Sequence, residues 1–301
     1  MISQKGMSIA MISEKVLVLN ATGKVGKNAS LALREAGFDV FGTTRSQVDA
    51  LRAIGVTPVV CNYTDRKGLE YAIEQTGAKK ILAITDYFGA AQSNSSVEIE
   101  HGKIAIDVAK RKGIEHFIFV SVVDAEYFNE HVRHIKTKLV IEDYLRQSGV
   151  PYSILRPTAF FENFDDPKNW NPLKKGAIKF LSDKHIKYCA TYDIGRAAAV
   201  MFKHPDKWIG RSLDVIGWEG SLSDVARALE TVGGVPVKAR LAMPLFLRRL
   251  FLKDLHNMFL YFEAGGPQGG PDAFKKVVPD ALSAEDWFRF HGSYSNGEKI
   301  G

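Results

Sequence analysis

The sequence predicts an α/β protein in which helices cover both faces of a parallel sheet. Short apolar runs alternate with helix-length segments through the first half of the 301 residues, as in βαβ units. A glycine follows each predicted helix of that half, at the position where a left-handed cap favours glycine. The first apolar run leads into a polar turn and then a helix. This order is typical of a Rossmann-type, doubly wound sheet.

The first half contains six predicted strands and five predicted helices. The strands are predicted at residues 15–20, 38–43, 57–61, 80–85, 115–121 and 151–156. The helices are predicted at about 24–36, 46–54, 66–76, 94–112 and 131–148, and the glycines after them are Gly37, Gly55, Gly77, Gly113 and Gly149. This strict alternation favours parallel pairing, because consecutive parallel strands need a crossover connection that is usually a helix.

The second half has a different pattern. Residues 158–184 are rich in aromatic and polar side chains and are expected to form an irregular excursion. A strand (184–189), a helix (191–203) and a strand (212–216) are then expected to return to the main sheet. From residue 219 onward the chain is predicted to be mostly helical.

These patterns predict a large Rossmann domain and a smaller, mostly helical C-terminal substrate lobe, with a cleft between them. The Rossmann domain is expected to comprise residues 14–157 and about 184–218, and the substrate lobe about 158–183 and 219–301. Residues 1–13 are expected to be a flexible N-terminal extension without the features of a signal peptide.

Composition limits the class of protein. Hydrophobic residues make up 46% of the chain and charged residues 25%, as in ordinary globular proteins. The formal net charge is +6, but the basic residues are scattered, so no nucleic-acid groove is expected. Cys61 and Cys189 show neither disulfide nor metal spacing and fit a reducing, cytoplasmic compartment. Charges interrupt the apolar residues 245–262, so no membrane span is expected.

The turn after the first strand is predicted to bind the pyrophosphate of a dinucleotide. Backbone N–H groups and the helix dipole both favour an anion there. Gly23 lets the phosphate approach closely, and Gly26 lets the helix pack on the strand. Asn20 replaces the first glycine of the usual fingerprint and tolerates left-handed backbone angles. The predicted cofactor contacts in this turn are Asn20, Thr22, Gly23, Lys24, Val25 and Gly26.

Residues after the next strands extend the predicted cofactor site. Arg45 occupies the position where an arginine accommodates a 2′-phosphate, which favours NADP(H) over NAD(H). A solvated surface arginine is the alternative. Asn62 is expected to contact the edge of the cofactor's adenine, and Asp65 is expected to cap the next helix. Thr85 is expected beside the second ribose, with a plain strand-ending turn as the alternative.

His134 and Lys138 form a second group of candidate residues. Residues four apart share one helical face, so both side chains can point into one cleft. Lys138 is expected to hold ribose hydroxyls, and His134 to donate or relay a proton near neutral pH. The alternative is that the lysine is a solvated surface residue. His131 also lies nearby, but no third ligand accompanies the two histidines, so no metal site is expected.

The chain resembles the NmrA-like branch of the atypical short-chain dehydrogenases/reductases, which includes relatives of the isoflavone reductases. The resemblance covers about residues 14–291. The motifs that carry it are residues 20–26 with Arg45, His134-x-x-x-Lys138 leading into residues 141–144, residues 148–157, residues 161–163 and the ending at residues 282–288.

The resemblance implies an NADP(H)-binding Rossmann domain and a small substrate lobe. Lys138 matches the active-site lysine, and Ser121 falls near the serine of typical short-chain dehydrogenases. The tyrosine expected four residues before the lysine is replaced by His134, which departs from the family pattern. The resemblance further implies that Pro157 and Phe160 contact the cofactor and that Phe161 and Asn163 contact the substrate. Tyr87 and Phe88 are expected to line the same substrate cleft. For residues 160–163, a hydrophobic hinge plug is an equal alternative.

An NADPH-dependent reductase of an apolar small molecule is the preferred function. The substrate would be a quinone, an enone, an imine or another carbonyl or conjugated compound, and the protein a monomer or homodimer. One alternative is a non-catalytic redox sensor that binds NADP(H) and acts through a protein partner. A redox-neutral enzyme is another. Residues 245–262 distinguish these, because an enzyme needs their apolar side chains turned inward and a sensor needs them exposed. Their helical spacing favours the inward orientation.

Overall fold

The computed structural model describes residues 13–128, 132–165 and 176–292. The predicted N-terminal extension lies outside the described residues except for Ser13. His131 and residues 166–175 of the predicted excursion also lie outside them. Within these described ranges, no helix has both the length and the apolar character needed to cross a bilayer.

The strands form one large parallel sheet and two small sheets. They are β1 (Lys15–Val18), β2 (Asp39–Thr44), β3 (Thr57–Val60), β4 (Lys80–Ala83), β5 (His116–Val120), β6 (Tyr152–Pro157), β7 (Ala159–Phe160), β8 (Ala177–Phe180), β9 (Ile186–Cys189), β10 (Ser212–Val215), β11 (Trp218–Gly220) and β12 (Lys238–Leu241). The central sheet has seven strands in the order β10-β6-β5-β4-β1-β2-β3, all parallel. The predicted doubly wound parallel sheet is therefore confirmed.

The helices cover both faces of this sheet and dominate the C-terminal part. They are α1 (Lys24–Glu35), α2 (Val48–Arg52), α3 (Arg66–Thr76), α4 (Ser95–Arg111), α5 (Arg133–Ser148), α6 (Thr191–Lys203), α7 (Pro205–Trp208), α8 (Leu222–Gly233), α9 (Leu245–Phe251), α10 (Lys253–Glu263), α11 (Pro271–Lys275) and α12 (Ala284–Phe290). Helices α1 to α5 are the five predicted from the sequence. The glycine after each has a positive φ, between 60° and 94°.

One predicted strand pairs differently from the expectation. The strand predicted at residues 184–189 exists as β9, but it joins β7 and β11 in a separate three-stranded sheet. Its Tyr188 is fully buried and stacks on Phe161 at 5.6 Å. This aromatic packing draws β9 away from the main sheet. The strand predicted at 212–216 does join that sheet, as β10 beside β6.

The buried core has two parts on the faces of the main sheet and a third in the C-terminal region. One face packs on α1 and α6, and the other on α3, α4 and α5. The third part includes the aromatic rings around Tyr188 and the buried residues of α8, α10 and α12. The exact division into two lobes stays a prediction.

A buried carboxyl group joins the first helix to the C-terminal part. Glu162 lies in a short 3-10 helix (Phe161–Phe164). Its Oε1 accepts hydrogen bonds from the Thr191 N–H (3.0 Å), the Thr191 hydroxyl (2.7 Å) and Trp287 Nε1 (3.1 Å). Asn28 of α1 donates to the same Thr191 hydroxyl at 2.7 Å. Burial raises the pKa of Glu162. One hydrogen-bond network therefore links α1, α6 and α12.

Candidate functional site

Predicted site residues line the carboxyl edge of the main sheet in spatial order. Pro157 ends β6, Ser121 follows β5, Thr85 lies two residues beyond β4, Asn20 two beyond β1 and Arg45 directly after β2. These five strands are consecutive neighbours in the sheet. The strand order reverses beside β1, which is the switch point where doubly wound sheets bind ligands. An extended ligand laid along this edge would contact each of these positions in turn.

The phosphate turn, residues 20–26, has the geometry that the sequence predicts. Asn20 has a φ of 56°, in the left-handed region. Its N–H donates to the Thr43 hydroxyl at 3.1 Å, and its carbonyl accepts from the Gly23 N–H at 3.1 Å. A Cβ on Gly26 would lie only 2.1 Å from the Asn20 carbonyl oxygen. Only glycine therefore allows α1 to begin this close to the turn.

The N-terminus of α1 is arranged to receive an anion. Gly23 is the N-cap residue in extended geometry, no side chain caps the helix, and its first turn holds no acidic residue. The first N–H groups of α1 therefore have no capping acceptor from the N-cap side chain. Lys24 Nζ donates to the Glu162 carbonyl at 3.4 Å and to Asn163 Oδ1 at 3.3 Å. These contacts connect the phosphate turn to the segment predicted to meet the substrate.

The adenosine end of the edge offers one cation and one amide. Arg45 is exposed and has no hydrogen-bond or ion-pair partner in the described part of the chain. Asn62 is also exposed, and its Oδ1 accepts from the Thr64 hydroxyl at 2.8 Å. Asp65 caps α3 by accepting from the Gly68 N–H at 2.9 Å, as predicted. Arg45 is thus available for an anionic group.

Lys138 forms a buried ion pair that the sequence did not predict. Its Nζ donates to Glu98 Oε1 at 2.6 Å and also contacts the Thr85 hydroxyl. The Thr85 hydroxyl donates to Glu98 Oε1 at 2.8 Å, and the Thr137 hydroxyl donates to the other carboxylate oxygen. The Glu98 side chain is fully buried, and only 14% of the Lys138 side chain is exposed. Thr85 and Lys138 therefore do lie together.

The partners of Glu98 keep it ionised. Burial raises the pKa of this carboxyl group. The charge of Lys138 and hydrogen bonds from Lys138, Thr137 and Thr85 lower the pKa by more than burial raises it, so the net pKa is below its ordinary value. A signal for Glu98 was present in the sequence. It lies four residues before Gly102 and seven before Ala105 on the buried face of α4, and a carboxylate on such a face needs a partner.

His134 is held by an acidic residue from the C-terminal part. Its Nδ1 contacts Asp254 Oδ2, while the Arg133 N–H donates to Asp254 Oδ1 at 2.8 Å. Burial raises the pKa of Asp254, but hydrogen bonding to His134 and its charge lower it more, so the net pKa is below the ordinary value. Because Nδ1 is engaged, Nε2 is the nitrogen left for proton exchange. No local sequence pattern predicts that Asp254 contacts His134, which lies 120 residues away.

Tyr87 and Phe88, the two aromatic residues expected to line the substrate cleft, pack beside His134. The His134 ring centroid lies 6.0 Å from that of Tyr87 and 5.4 Å from that of Phe88. Tyr87 is buried, whereas 61% of Phe88 is exposed. Phe88 therefore presents an apolar surface next to a group that can transfer a proton.

The remaining predicted contacts, Ser121, Phe160 and Phe161, differ in how much of each side chain a ligand could reach. Ser121 is buried, and its Oγ has no hydrogen-bond partner among the described residues. Phe160 is half-buried in β7. Phe161 has no exposed surface and stacks on Tyr188 and on Trp287, with centroids 5.6 and 5.9 Å apart. A substrate would have no Phe161 surface to contact, which favours the hinge-plug alternative.

The segment 245–262 does not form one inward face. In α10, Phe259 and Phe262 are buried, but in α9 the one buried residue is Arg248. The helix breaks at Leu252, whose φ of −126° is not helical. The helical spacing therefore does not continue from α9 to α10, and the expectation of an inward apolar face is wrong for α9.

A comparison with protein-family models agrees with the fold and with the motifs. A sequence model of the NmrA-like family matches residues 12–287. The chain belongs to the NmrA-like family. Among its curated relatives is the photosystem II assembly factor Ycf39 of Cyanophora paradoxa, which is 25% identical over 273 residues. That alignment covers 87% of this chain and 81% of the relative.

Solved structures of this fold include a reductase and a regulator. Triphenylmethane reductase of Citrobacter sp., solved with NADP(H), has a TM-score of 0.70 and 16% identity, covering 90% of this chain and 98% of that one. NmrA, a negative transcriptional regulator, has a TM-score of 0.73 and 21% identity, covering 96% and 99%. At these identities the likeness shows the fold, and function must be argued from the site.

Proposed function

We propose that this protein is an NADPH-dependent oxidoreductase that reduces an apolar carbonyl or conjugated small molecule. The observation that carries the proposal is the contact between His134 Nδ1 and Asp254 beside the exposed ring of Phe88. It provides a proton-transfer group with a fixed orientation next to an apolar surface. A protein that only senses a dinucleotide does not need such an arrangement.

The described residues fit a phosphorylated dinucleotide. The N-terminus of α1 would hold the pyrophosphate through backbone N–H groups, and Arg45 would hold the 2′-phosphate. The Ser121 hydroxyl, buried and without a partner in the described ranges, would gain one from the nicotinamide half or the substrate. When bound, the reduced nicotinamide supplies a hydride.

Lys138 would orient the ribose next to the nicotinamide. Glu98 and the Thr85 hydroxyl accept two hydrogen bonds from its ammonium group, and the contact to the Thr85 carbonyl is long at 3.4 Å. A ribose hydroxyl would take that third N–H, because an ammonium group has three donors. Glu98 thus acts through Lys138 as a positioning residue.

His134 would supply the proton that accompanies the hydride. Asp254 would fix the orientation of the ring through its contact with Nδ1, as the aspartate does in other Asp–His pairs. Proton transfer then proceeds from Nε2 to the reduced substrate, leaving a neutral imidazole that water can reprotonate. The substrate would thus receive this proton together with the hydride.

A non-catalytic redox sensor is the second candidate. The exposed apolar residues of α9 give it a surface that an enzyme acting only in its cleft does not require. The departure at His134 from the family tyrosine also favours it. The two candidates share cofactor binding and differ in turnover.

The test separates binding from turnover. Nicotinamide fluorescence titrations with NADPH and NADH should show tighter binding of NADPH, and quinones, enones and imines should then be screened for NADPH oxidation. His134→Gln should lower turnover about 100-fold with binding unchanged. His185→Gln, at an exposed histidine, is the matched control. NADPH binding without oxidation across the panel would favour the sensor.

A further inference from the structure

Helix α9 has an inverted distribution of side chains. Its charged Arg248 is buried, whereas 50% of Leu245, 69% of Phe246, 69% of Leu250 and 71% of Phe251 are exposed. A surface helix normally buries its apolar face and exposes its charges. These four residues, together with the basic residues beside them, are called the α9 surface below.

The inversion is fixed by specific contacts of Arg248. Its Nη1 donates to the Leu181 carbonyl at 2.6 Å and to Glu263 Oε1 at 2.8 Å, and its Nη2 donates to Glu263 Oε2 at 3.1 Å. Its Nε donates to His256 Nδ1 at 3.1 Å. Rotating α9 to bury its leucines and phenylalanines would break all of these bonds. The α9 surface is therefore held outward.

Between residues 245 and 263, the exposed charged side chains are positive. Arg249 and Lys253 are exposed and have no ion-pair partner within the described ranges. The acidic residues of the same segment, Asp254 and Glu263, are already paired with His134 and Arg248. An apolar patch flanked by these two cations is complementary to a surface with an apolar interior and anionic groups at its boundary.

We propose that the α9 surface docks this protein peripherally on an anionic membrane. Leu245, Phe246, Leu250 and Phe251 would enter the boundary between headgroups and acyl chains, and Arg249 and Lys253 would meet lipid phosphates. Four apolar side chains are far fewer than the roughly 20–30 residues that each side of a stable protein interface contributes. The same four side chains are enough for interfacial insertion.

The position of this surface suggests what docking achieves, and this step rests on the proposed function. Asp254, which holds His134, follows Phe251 by three residues. The α9 surface is therefore close in the chain to the carboxylate that holds His134, the proposed proton donor. An apolar substrate dissolved in the bilayer would reach the cleft without crossing water.

Vesicle co-sedimentation of the full chain tests the docking. The protein should bind vesicles of phosphatidylcholine with phosphatidylglycerol, bind phosphatidylcholine alone more weakly, and dissociate as salt rises. The double variant F246S/F251S should lower vesicle partitioning at least about tenfold. R249Q/K253Q should remove the preference for anionic vesicles. Phe290→Ser, at an aromatic residue that is 61% exposed on α12, is the matched control and should leave binding unchanged.

Two results would overturn the proposal. One is that the unmodified protein binds neither kind of vesicle, or that F246S/F251S binds as well as it does. The other is that light scattering shows a dimer that F246S/F251S dissociates, which would assign the surface to a second copy of the chain. Circular dichroism and NADPH titration of each variant verify folding. A failed turnover screen would not alter the vesicle result, so the two proposals are tested separately.

Discussion

The phosphate turn and the group of side chains around α5 lie on the same edge of the sheet but are built in different ways. The phosphate turn consists of consecutive residues, 20–26, and acts mainly through its backbone. The α5 group (His134, Lys138, Glu98, Thr85 and Asp254) brings together side chains 40 residues apart for Lys138 and Glu98 and 120 apart for His134 and Asp254. The turn therefore depends on conformation, and the α5 group depends on distant partners. Substitutions should show this difference.

The largest effect is expected in the phosphate turn. Gly26→Ala would place a Cβ 2.1 Å from the Asn20 carbonyl oxygen. Because the obstacle is backbone, we expect a loss of about 4 kcal/mol in unfolding free energy, above the usual cost of overpacking. NADPH binding should be lost. Chemical denaturation and fluorescence titration measure the two effects.

Gly23→Ala is the control for that variant. The three atoms nearest to a Cβ there would all belong to the Asn20 side chain, at 3.0 to 3.3 Å, and the φ of Gly23 is −70°. The variant should fold normally and bind NADPH more weakly. We infer that Gly26 is required for the close approach of α1 to the turn and not for the approach of a phosphate. Equal destabilisation by both substitutions would contradict this inference.

The next effect concerns the buried ion pair of the α5 group. Glu98→Gln would leave the Lys138 ammonium without its anionic partner, which should cost about 3 kcal/mol of unfolding free energy. Glu100→Gln, at an exposed position on the same helix, should change stability by less than about 0.5 kcal/mol. Urea denaturation at neutral pH measures both. A neutral result for Glu98→Gln would show that the pair contributes nothing to the fold.

The same pair predicts a pH dependence. The pKa of Glu98 is lower in the folded protein than its ordinary value, so the unfolded chain binds a proton more readily. The contribution of Glu98 to stability is therefore fully present above the unfolded pKa of about 4.3 and is lost as pH falls through the folded pKa. The difference in stability between the unmodified protein and Glu98→Gln should shrink on acidification. A constant difference would assign the effect to packing.

A smaller effect is expected at the contact between α5 and α10. Asp254→Asn keeps the shape of the side chain but replaces a carboxylate oxygen acceptor with an amide, so the His134 ring loses its fixed orientation. We expect kcat/KM to fall about thirtyfold with KM for NADPH unchanged, which corresponds to ~2 kcal/mol. Asp254→Glu should recover part of the rate. Asp272→Asn on α11 is a control. An unchanged rate would remove Asp254 from the mechanism.

The smallest effect is expected at the adenosine end. Arg45→Ser should weaken NADPH binding about tenfold, ~1.4 kcal/mol, and leave NADH binding unchanged. Arg52→Ser, at an exposed arginine of α2, should change neither. Isothermal titration with both dinucleotides measures the preference. Equal affinity of the unmodified protein for NADH would refute the role of Arg45.

The contrast between the two regions also explains what the sequence could predict. Apolar runs, helix-ending glycines and the turn at Asn20 are local signals, so β1 to β6, α1 to α5 and the phosphate turn were predicted within a few residues. Asp254 could not be found, because its partner is 120 residues away. The pairing of β9 and the inversion of α9 depend on Tyr188 and Arg248, whose burial no local pattern shows. Among the residues that the sequence prediction missed, Glu98 had a usable signal, because it is a carboxylate on the buried face of α4.

The network around Glu162 has a consequence for how this chain can be divided. Because Glu162 is linked both to Thr191, which binds Asn28 of the first helix, and to Trp287 near the end of the described chain, a fragment ending before α12 would leave a buried carboxyl group short of a donor. The part of the chain before α12 is thus not a unit that can be excised and fused elsewhere. For biosensor engineering, insertion at a surface loop is the route that this architecture allows.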